Sequence, residues 1–300
     1  MTSLDLSLDA REVPLGGVRG ITVHRTLPHR GLPTVGPWCF VDHFGPTSEH
    51  MNVLPHPHTG LQTVTWPLAG DIRHRDNLGS DVVLKPGELN LMTSGDGVAH
   101  SEFSVGDTGG PMHGIQLWVA LPNLRRTGAA GFEHHPDLPV ADGRNWSAKV
   151  LMGELDGAAS PATTYSPMVG AELTVRPGGA VVPLRLEFEH AILAVTGEAL
   201  VGGTEIVHRQ MRYLAPGREE VELFVPAETT LLLIGGTPFD EELVMWWNFI
   251  GRSHEDIVQA RTDWEAQSER FGEVAGHKGQ RIPAPPMPEL RLKPRRRTVA

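Results

Sequence analysis

Turn residues place the first constraint on this chain. Between residues 62 and 103, Gly, Pro, Asn and Asp interrupt the sequence every 7 to 10 residues. Gln62-Thr-Val-Thr-Trp-Pro-Leu68 alternates and is β-branched, and Ala69-Gly70-Asp71 turns it. Further short runs end at Asp76-Asn-Leu-Gly79, at Lys85-Pro-Gly87 and at Ser94-Gly-Asp-Gly97. Spacing that short favours antiparallel strands, in a barrel or a sandwich, over βαβ units. The same texture returns at Ala148-Lys-Val-Leu-Met152, Ala171-Glu-Leu-Thr-Val175, Ala191-Ile-Leu-Ala-Val195, Glu198-Ala-Leu-Val201 and Thr230-Leu-Leu-Leu-Ile234. Pro122 to Trp146 is looser. Leu84-Lys-Pro-Gly87 is echoed by Leu214-Ala-Pro-Gly217, and Leu68-Ala-Gly70 by Val195-Thr-Gly197. The chain thus reads as all-β, with two tandem barrels of related build. One helix is expected. Ser253 caps it, and Ile257, Ala260, Arg261 and Trp264 recur at helical spacing up to Phe271-Gly272. From Arg281 the Pro-rich tail is expected to be extended, free or laid along the surface.

Composition excludes several classes of function. No run approaches the ~18 apolar residues of a membrane helix. The opening residues lack the basic flank and apolar run of a signal peptide, and the chain carries one cysteine, Cys39. Internal disulfides and Cys-based metal sites are therefore excluded, and a cytoplasmic setting is expected. In an apolar run, Cys39 is a small hydrophobe. The net charge is −10, but from Lys278 onward seven basic residues face one acid, Glu289. The tail is +6 and the body −16. Such a body lacks the positive field that general nucleic-acid binding needs, and the tail's simplest partner is solvent or the body itself.

The chemistry is concentrated in the first half. Eleven of the 15 histidines precede residue 151. Two patterns matter most: His56-Pro57-His58 and His100-Ser101-Glu102. On a strand, residues i and i+2 share a face, so each pattern aims two ligand-type side chains one way. Side by side, two such strands converge three imidazoles and a carboxylate. That donor set suits Fe(II), Mn(II), Ni(II) or Zn(II) and leaves two positions open on an octahedral ion.

Thr26-Leu-Pro-His29, Val35-Gly-Pro-Trp38, Phe40-Val-Asp-His-Phe-Gly-Pro46, Pro55-His-Pro-His-Thr-Gly-Leu-Gln-Thr-Val-Thr65, His74-Arg-Asp-Asn-Leu-Gly79, Met92-Thr-Ser-Gly-Asp-Gly-Val-Ala-His-Ser-Glu102 and His113-Gly-Ile-Gln-Leu-Trp-Val119 together resemble the pirin family. The resemblance covers residues 20 to 121 strongly and the rest loosely. It implies a bicupin, two tandem cupin barrels with one metal, usually iron, in the first. Carried over, the ligands are His56, His58, His100 and Glu102. Some pirin-like proteins open flavonols such as quercetin with dioxygen and release carbon monoxide; others are iron-dependent regulators that bind protein partners. This chain departs from the family pattern in places. Thr59-Gly-Leu-Gln62 replaces Arg-Gly-Phe-Glu, and Gln62 stands where many other cupins place a carboxylate ligand, which leaves Glu102 as the carboxylate on the metal. Asp96 stands where a basic residue is common. Gly131-Phe-Glu-His-His135 replaces a Tyr-Gln segment and is a candidate for the pocket mouth. In the second half, Val182-Pro-Leu-Arg-Leu186 replaces the His pair, so that barrel is expected to be empty of metal.

The expected organisation is a metal-binding barrel over 1–135, a metal-free barrel over 136–252, and a helix with a basic tail over 253–300. The expected activity is a dioxygenase acting on a flavonol or related enol-bearing aromatic, with one Fe(II)/Fe(III) per chain for which Zn, Mn, Ni or Cu could substitute. Glu102 is expected both to bind the metal and to take the substrate's proton. The alternative is a redox-sensing regulator that binds protein partners without catalysis. His43, Gln62 and His113 are candidates to line the pocket or support the ligands, and His50 is a lesser one. His134-His135 is at best a weak exposed site. His190, His208, His254 and His277 read as structural or exposed, and Trp246-Trp247 as packing for the helix.

Overall fold

Strand Glu220–Val225 alternates strictly: Val221, Leu223 and Val225 are buried, while Glu220, Glu222 and Phe224 face solvent. That is a sheet with one wet face. Strand Trp38–Thr47 behaves differently, with its first eight residues all buried. A strand covered on both faces must lie between two layers, and the sheet order shows which. The computed structural model describes residues 5–14, 21–106 and 111–298.

The first barrel has two antiparallel sheets. The larger runs, in order, through Gly131–His135, Leu89–Thr93, Leu61–Ala69, Met112–Ala120, Trp38–Thr47, Thr22–Leu27 and Arg11–Pro14. The smaller runs Asn52–His58, Val98–Ser104, Ile72–Asp76 and Asp81–Leu84. The second barrel repeats the plan. Its large sheet runs Leu6–Leu8, Met211–Leu214, Glu189–Ala194, Thr229–Gly236, Met168–Val175, Trp146–Leu155 and Val140–Gly143, and Ala158–Ala159 pairs with Trp146–Leu155. Its small sheet runs Gly178–Pro183, Glu220–Val225, Ala199–Val201 and Thr204–Ile206. The chain is a bicupin in architecture. The large sheets pack against each other, and one core mixes Trp38, Val64 and Leu117 with Met152, Leu193 and Ile234. Trp38 crosses that seam, donating its indole N–H to Val169 O at 3.0 Å. Gly170 lies under its ring, where a Cβ would come within 2.6 Å of the indole.

The first strand crosses over: Leu6–Leu8 pairs with Met211–Leu214 in the second barrel. The loose stretch 122–146 supplies an edge strand to each barrel, Gly131–His135 against Leu89–Thr93 and Val140–Gly143 against Trp146–Leu155. Every residue of Gly131–His135 is only half-buried, so the strand carries no apolar alternation to reveal it.

The helix spans His254–Glu265, with a capping box in which Ser253 Oγ accepts from Asp256 N at 3.1 Å and Asp256 Oδ2 accepts from Ser253 N at 3.2 Å. It buries Ile257, Ala260 and Trp264. It stops short of Phe271 because Gln267 turns to φ 53°, a left-handed stop. Phe271 still reaches the core that Trp264 enters. Arg261 leaves that face and donates to Pro285 O at 2.7 Å.

The tail is laid back over the first barrel. Ile282 N donates to Pro55 O at 2.8 Å, and Leu292 N to His254 Nδ1 at 3.1 Å. Arg281 meets Glu265 at 3.4 Å and Arg291 meets Glu255 at 2.5 Å. Arg297 reaches the fully buried Glu189 of the second barrel. Among the described residues, no helix is long and apolar enough to cross a membrane. Cys39 is buried, which pushes its thiol well above the ordinary range.

Candidate metal centre

Strands Asn52–His58 and Val98–Ser104 run antiparallel, with His100 opposite His56 and Val98 opposite His58. The two-residue period then sends His56, His58, His100 and Glu102 to the barrel interior. A register shift between His100 and Glu102 brings Glu102 opposite Val53. Exposure is 7% for His56, 1% for His58 and His100, and 6% for Glu102. The imidazole centroids lie 4.4 to 5.0 Å apart, and His58 Nε2 stands 3.1 Å from His100 Nε2. One ligand atom from each of the three lies within 4.8 Å of the others.

A second trio shares His100: His74, His100 and Glu102 also converge within 4.8 Å. His74 and Asp76 sit on Ile72–Asp76, directly across from Glu102 and His100 respectively. His100 Nδ1 faces His74 Nδ1 at 3.3 Å, and His74 Nε2 faces Asp76 Oδ2 at 3.1 Å. Asp76 Oδ1 accepts the N–H groups of Leu78 and Ser80, both at 2.9 Å. A chain of contacts therefore runs from His100 through His74 to a carboxylate fixed by its own turn. His74-Arg75-Asp76 repeats the i, i+2 logic of the two ligand patterns, and that was the available signal.

Burial pushes His56 down to about 4, against the opposing pull of the Leu54 carbonyl, and pushes His58 and His100 well below 6.5. All three are neutral at pH 7, with lone pairs free to bind a cation. Burial also raises Glu102, against the pull of His74 and the Thr65 hydroxyl, which donates to Oε1 at 3.0 Å. A bound cation would reverse that direction. Three neutral imidazoles converging within 4.8 Å, with the Glu102 carboxylate joined to them through His100, are a buried donor set that fits a divalent transition ion.

The four residues line one cavity of about 210 Å³, walled by Phe40 and Trp118 and rimmed by Trp247, Asn248 and Ile282. Trp247 does more than pack the helix, and the tail contributes a wall residue. Gln62 is elsewhere: its amide donates to Thr93 Oγ1 at 3.0 Å and Thr163 O at 3.1 Å. His43 and His113 face each other at 2.8 Å, with His208 of the second barrel 5.4 Å from His43 between ring centroids. None of these lines the cavity. Residues 131–135 stay away from the mouth too, and Phe132 instead stacks behind the site on His74 at 4.5 Å. His50 is exposed beside Ser104, and His277 meets Ser101 at 2.8 Å on the outside of the ligand strand. His134 and His135 engage Asn90 and Glu133. Among the described residues, both ligand clusters belong to the first barrel.

Comparison with known proteins gives a consistent picture. Residues 20–119 match the family model described as Pirin, and residues 170–272 the one described as Pirin C-terminal cupin domain. A Pseudomonas aeruginosa protein named "Putative quercetin 2,3-dioxygenase PA1205" is 41% identical over 284 residues, 93% of this chain and 89% of its own. A pirin-like protein from Caulobacter vibrioides is 37% identical over 94% of this chain and 99% of its own. The crystal structure of a quercetin 2,3-dioxygenase from Acinetobacter baumannii superposes with a TM-score of 0.91 at 38% identity, covering 96% of this chain and 97% of that one.

Proposed function

The chain belongs to the pirin family, and on that premise we propose that it is a non-haem iron dioxygenase that opens flavonols such as quercetin or a related enol-bearing aromatic. One observation carries this reading: the imidazole cluster opens into an aromatic-walled cavity and is not sealed by packing. A protein whose metal served only to shape a partner surface would have no need of that space.

His56, His58 and His100 would hold the ion, with Glu102 as fourth ligand. The ion would supply Lewis acidity toward the enol oxygen and the redox chemistry that dioxygen requires. The protein's own groups do the rest. Thr65 donates to Glu102 Oε1 and fixes the carboxylate, which has lone pairs enough both to face the ion and to take the proton of the substrate hydroxyl. Trp118 and Phe40, stacked with centroids 3.9 Å apart and 10° between planes, form a flat wall that orients a planar ring system. Trp247 and Asn248 close the rim and limit water. Holding both reactants in one small cavity removes much of the entropic barrier.

The test is anaerobic loading with Fe(II), followed by quercetin and oxygen, with flavonol absorbance and carbon monoxide measured together. Loss of flavonol with matching carbon monoxide is expected. Fully loaded protein that leaves quercetin and related enols unchanged would overturn the reading.

A further inference from the structure

The metal cavity alone, at about 210 Å³, is smaller than the ~300 Å³ at which small-molecule pockets usually begin. A second chamber of about 280 Å³ adjoins it, and the two share Pro14, Phe40, Trp118, Trp247 and Asn248 as walls. A ligand larger than the inner cavity can extend into the outer one along these shared walls. A layered wall leads there. The His58 ring stands edge-on to Trp118 at 5.2 Å, Trp118 stacks on Phe40 at 3.9 Å, and the Arg25 guanidinium lies 4.1 Å from the Phe40 centroid.

The outer chamber is cationic. Arg11, Arg25 and Arg295 line it, and among the described residues no Asp or Glu does. Arg25 is satisfied by a two-pronged pair with Asp42, both contacts at 2.7 Å. Arg11 donates to the Pro28 carbonyl at 3.0 Å and feels the Asp42 carboxylate at longer range; among the described residues no carboxylate forms an ion pair within 4 Å with Arg11 or Arg295. Partial desolvation and the neighbouring guanidiniums lower both Arg11 and Arg295, against the pull of Asp42 on Arg11, so the cations crowd one another. Two unpaired positive charges beside an aromatic wall are a recognition surface for an anion carried on a ring.

We propose that this chamber is a subsite for an anionic substituent, so that the substrate is a planar aromatic enol bearing a carboxylate or comparable anion at the end remote from the enol. The proposal rests on the enol-bearing aromatic assigned above and adds a charge requirement, with Arg11 and Arg295 as the specificity-determining residues. Both side chains are exposed, so each contact is partly screened. Two such contacts together correspond to about a tenfold preference at low salt, shrinking as salt rises.

The experiment measures binding, not turnover. Zn(II)-loaded protein is titrated with 3-hydroxyflavone and with its 4′-carboxylate, following tryptophan fluorescence. The carboxylate is expected to bind about tenfold tighter, and that ratio should fall to near one in the Arg11→Gln/Arg295→Gln double variant. Arg11→Lys/Arg295→Lys, which keeps both charges, should retain most of the ratio. Equal binding of the two ligands by the wild type, or an unchanged ratio in the Gln double variant, would overturn the subsite. Tight, metal-dependent binding of both ligands with a ratio near one would sink the subsite alone. Binding of neither would sink the enol-substrate reading with it. A preserved ratio in an iron-loaded protein without turnover would support the subsite and count against the dioxygenase.

Discussion

The two barrels share a plan but fill it differently. In the first, the small sheet turns His56, His58, His100 and Glu102 inward. In the second, the inward positions of Gly178–Pro183 and Glu220–Val225 hold Ala180, Val182, Val221 and Leu223, all in one apolar core. A barrel of this build therefore closes on hydrophobic burial alone. The first gives up some of that burial for polar groups whose desolvation disfavours folding unless something binds them.

The largest expected effect breaks the first barrel's chemistry and leaves its shape. Glu102→Gln retains three imidazoles, so the ion should still bind, though more weakly. Turnover per bound metal should fall by roughly 10²–10⁴, the range for a lost general base. Unchanged turnover per metal would remove Glu102 as the base. The second barrel predicts the stoichiometry: metal analysis should find one ion per chain, and two would mean that its apolar interior is not its whole content.

Acid should separate the barrels next. In the metal-free protein His56 is held down to about 4, and His58 and His100 also lie well below 6.5, by burial. The unfolded chain takes up these protons first, so stability is fully present above 6.5 and is lost as pH falls toward about 4. Each such histidine contributes at most about 1.4 kcal/mol per pH unit across that window. The second barrel has one comparable residue, His190, held at about 4 by burial. Denaturant midpoints between pH 7 and 5 should fall steeply in the wild type and less in His56→Gln. Equal slopes would mean that these histidines do not control acid sensitivity.

The tail tests how the barrels are joined. Glu189 is fully buried, accepts Gly36 N at 2.5 Å and the Tyr213 hydroxyl at 2.8 Å, and pairs with Arg297 through both oxygens. Ending the chain at Arg296 strips the cation from a buried carboxylate, with a loss of about 3 kcal/mol expected, the low end for such a break. Metal content should not change, because no ligand lies there. Truncation before Ile282 should additionally open the metal cavity to solvent, read as faster exchange of the bound ion.

Much of this was legible in sequence, for stated reasons. Turn spacing and the i, i+2 patterns His56-Pro-His58 and His100-Ser-Glu102 are local signals; the strands lie where the first points, and the four side chains named by the second line one cavity. Gly131–His135 escaped because an edge strand with no buried face has no periodicity to read. The helix end escaped because Gln267, and not a glycine, takes the left-handed turn. Arg11, Arg295, Trp247 and Ile282 come from three distant segments, and no spacing rule connects them. His43 precedes the ligand pair, His113 lies on a core strand, and Gln62 stands at a cupin carboxylate position, yet none of these signals fixes a contact: the structure pairs His43 with His113 and Gln62 with Thr93.

The smallest effect concerns the chain of contacts behind His100. With His100 Nε2 turned to the metal, its Nδ1–H can donate to His74 Nδ1 only if His74 carries its own proton on Nε2, toward Asp76. Asp76 enforces that tautomer, since Leu78 N and Ser80 N occupy its other oxygen. Among the described residues the second barrel shows no ligand cluster for such a contact to orient. His74→Phe keeps a ring to stack on Phe132 but removes the acceptor, so metal affinity should drop by the ~10–100-fold typical of lost outer support. Asp76→Asn should cost less, because an amide oxygen can still accept from His74 while the turn rearranges. Chelator competition measures both, and the Co(II) absorption bands report ligand geometry without turnover. Bands and affinity unchanged in His74→Phe would show that packing alone orients His100.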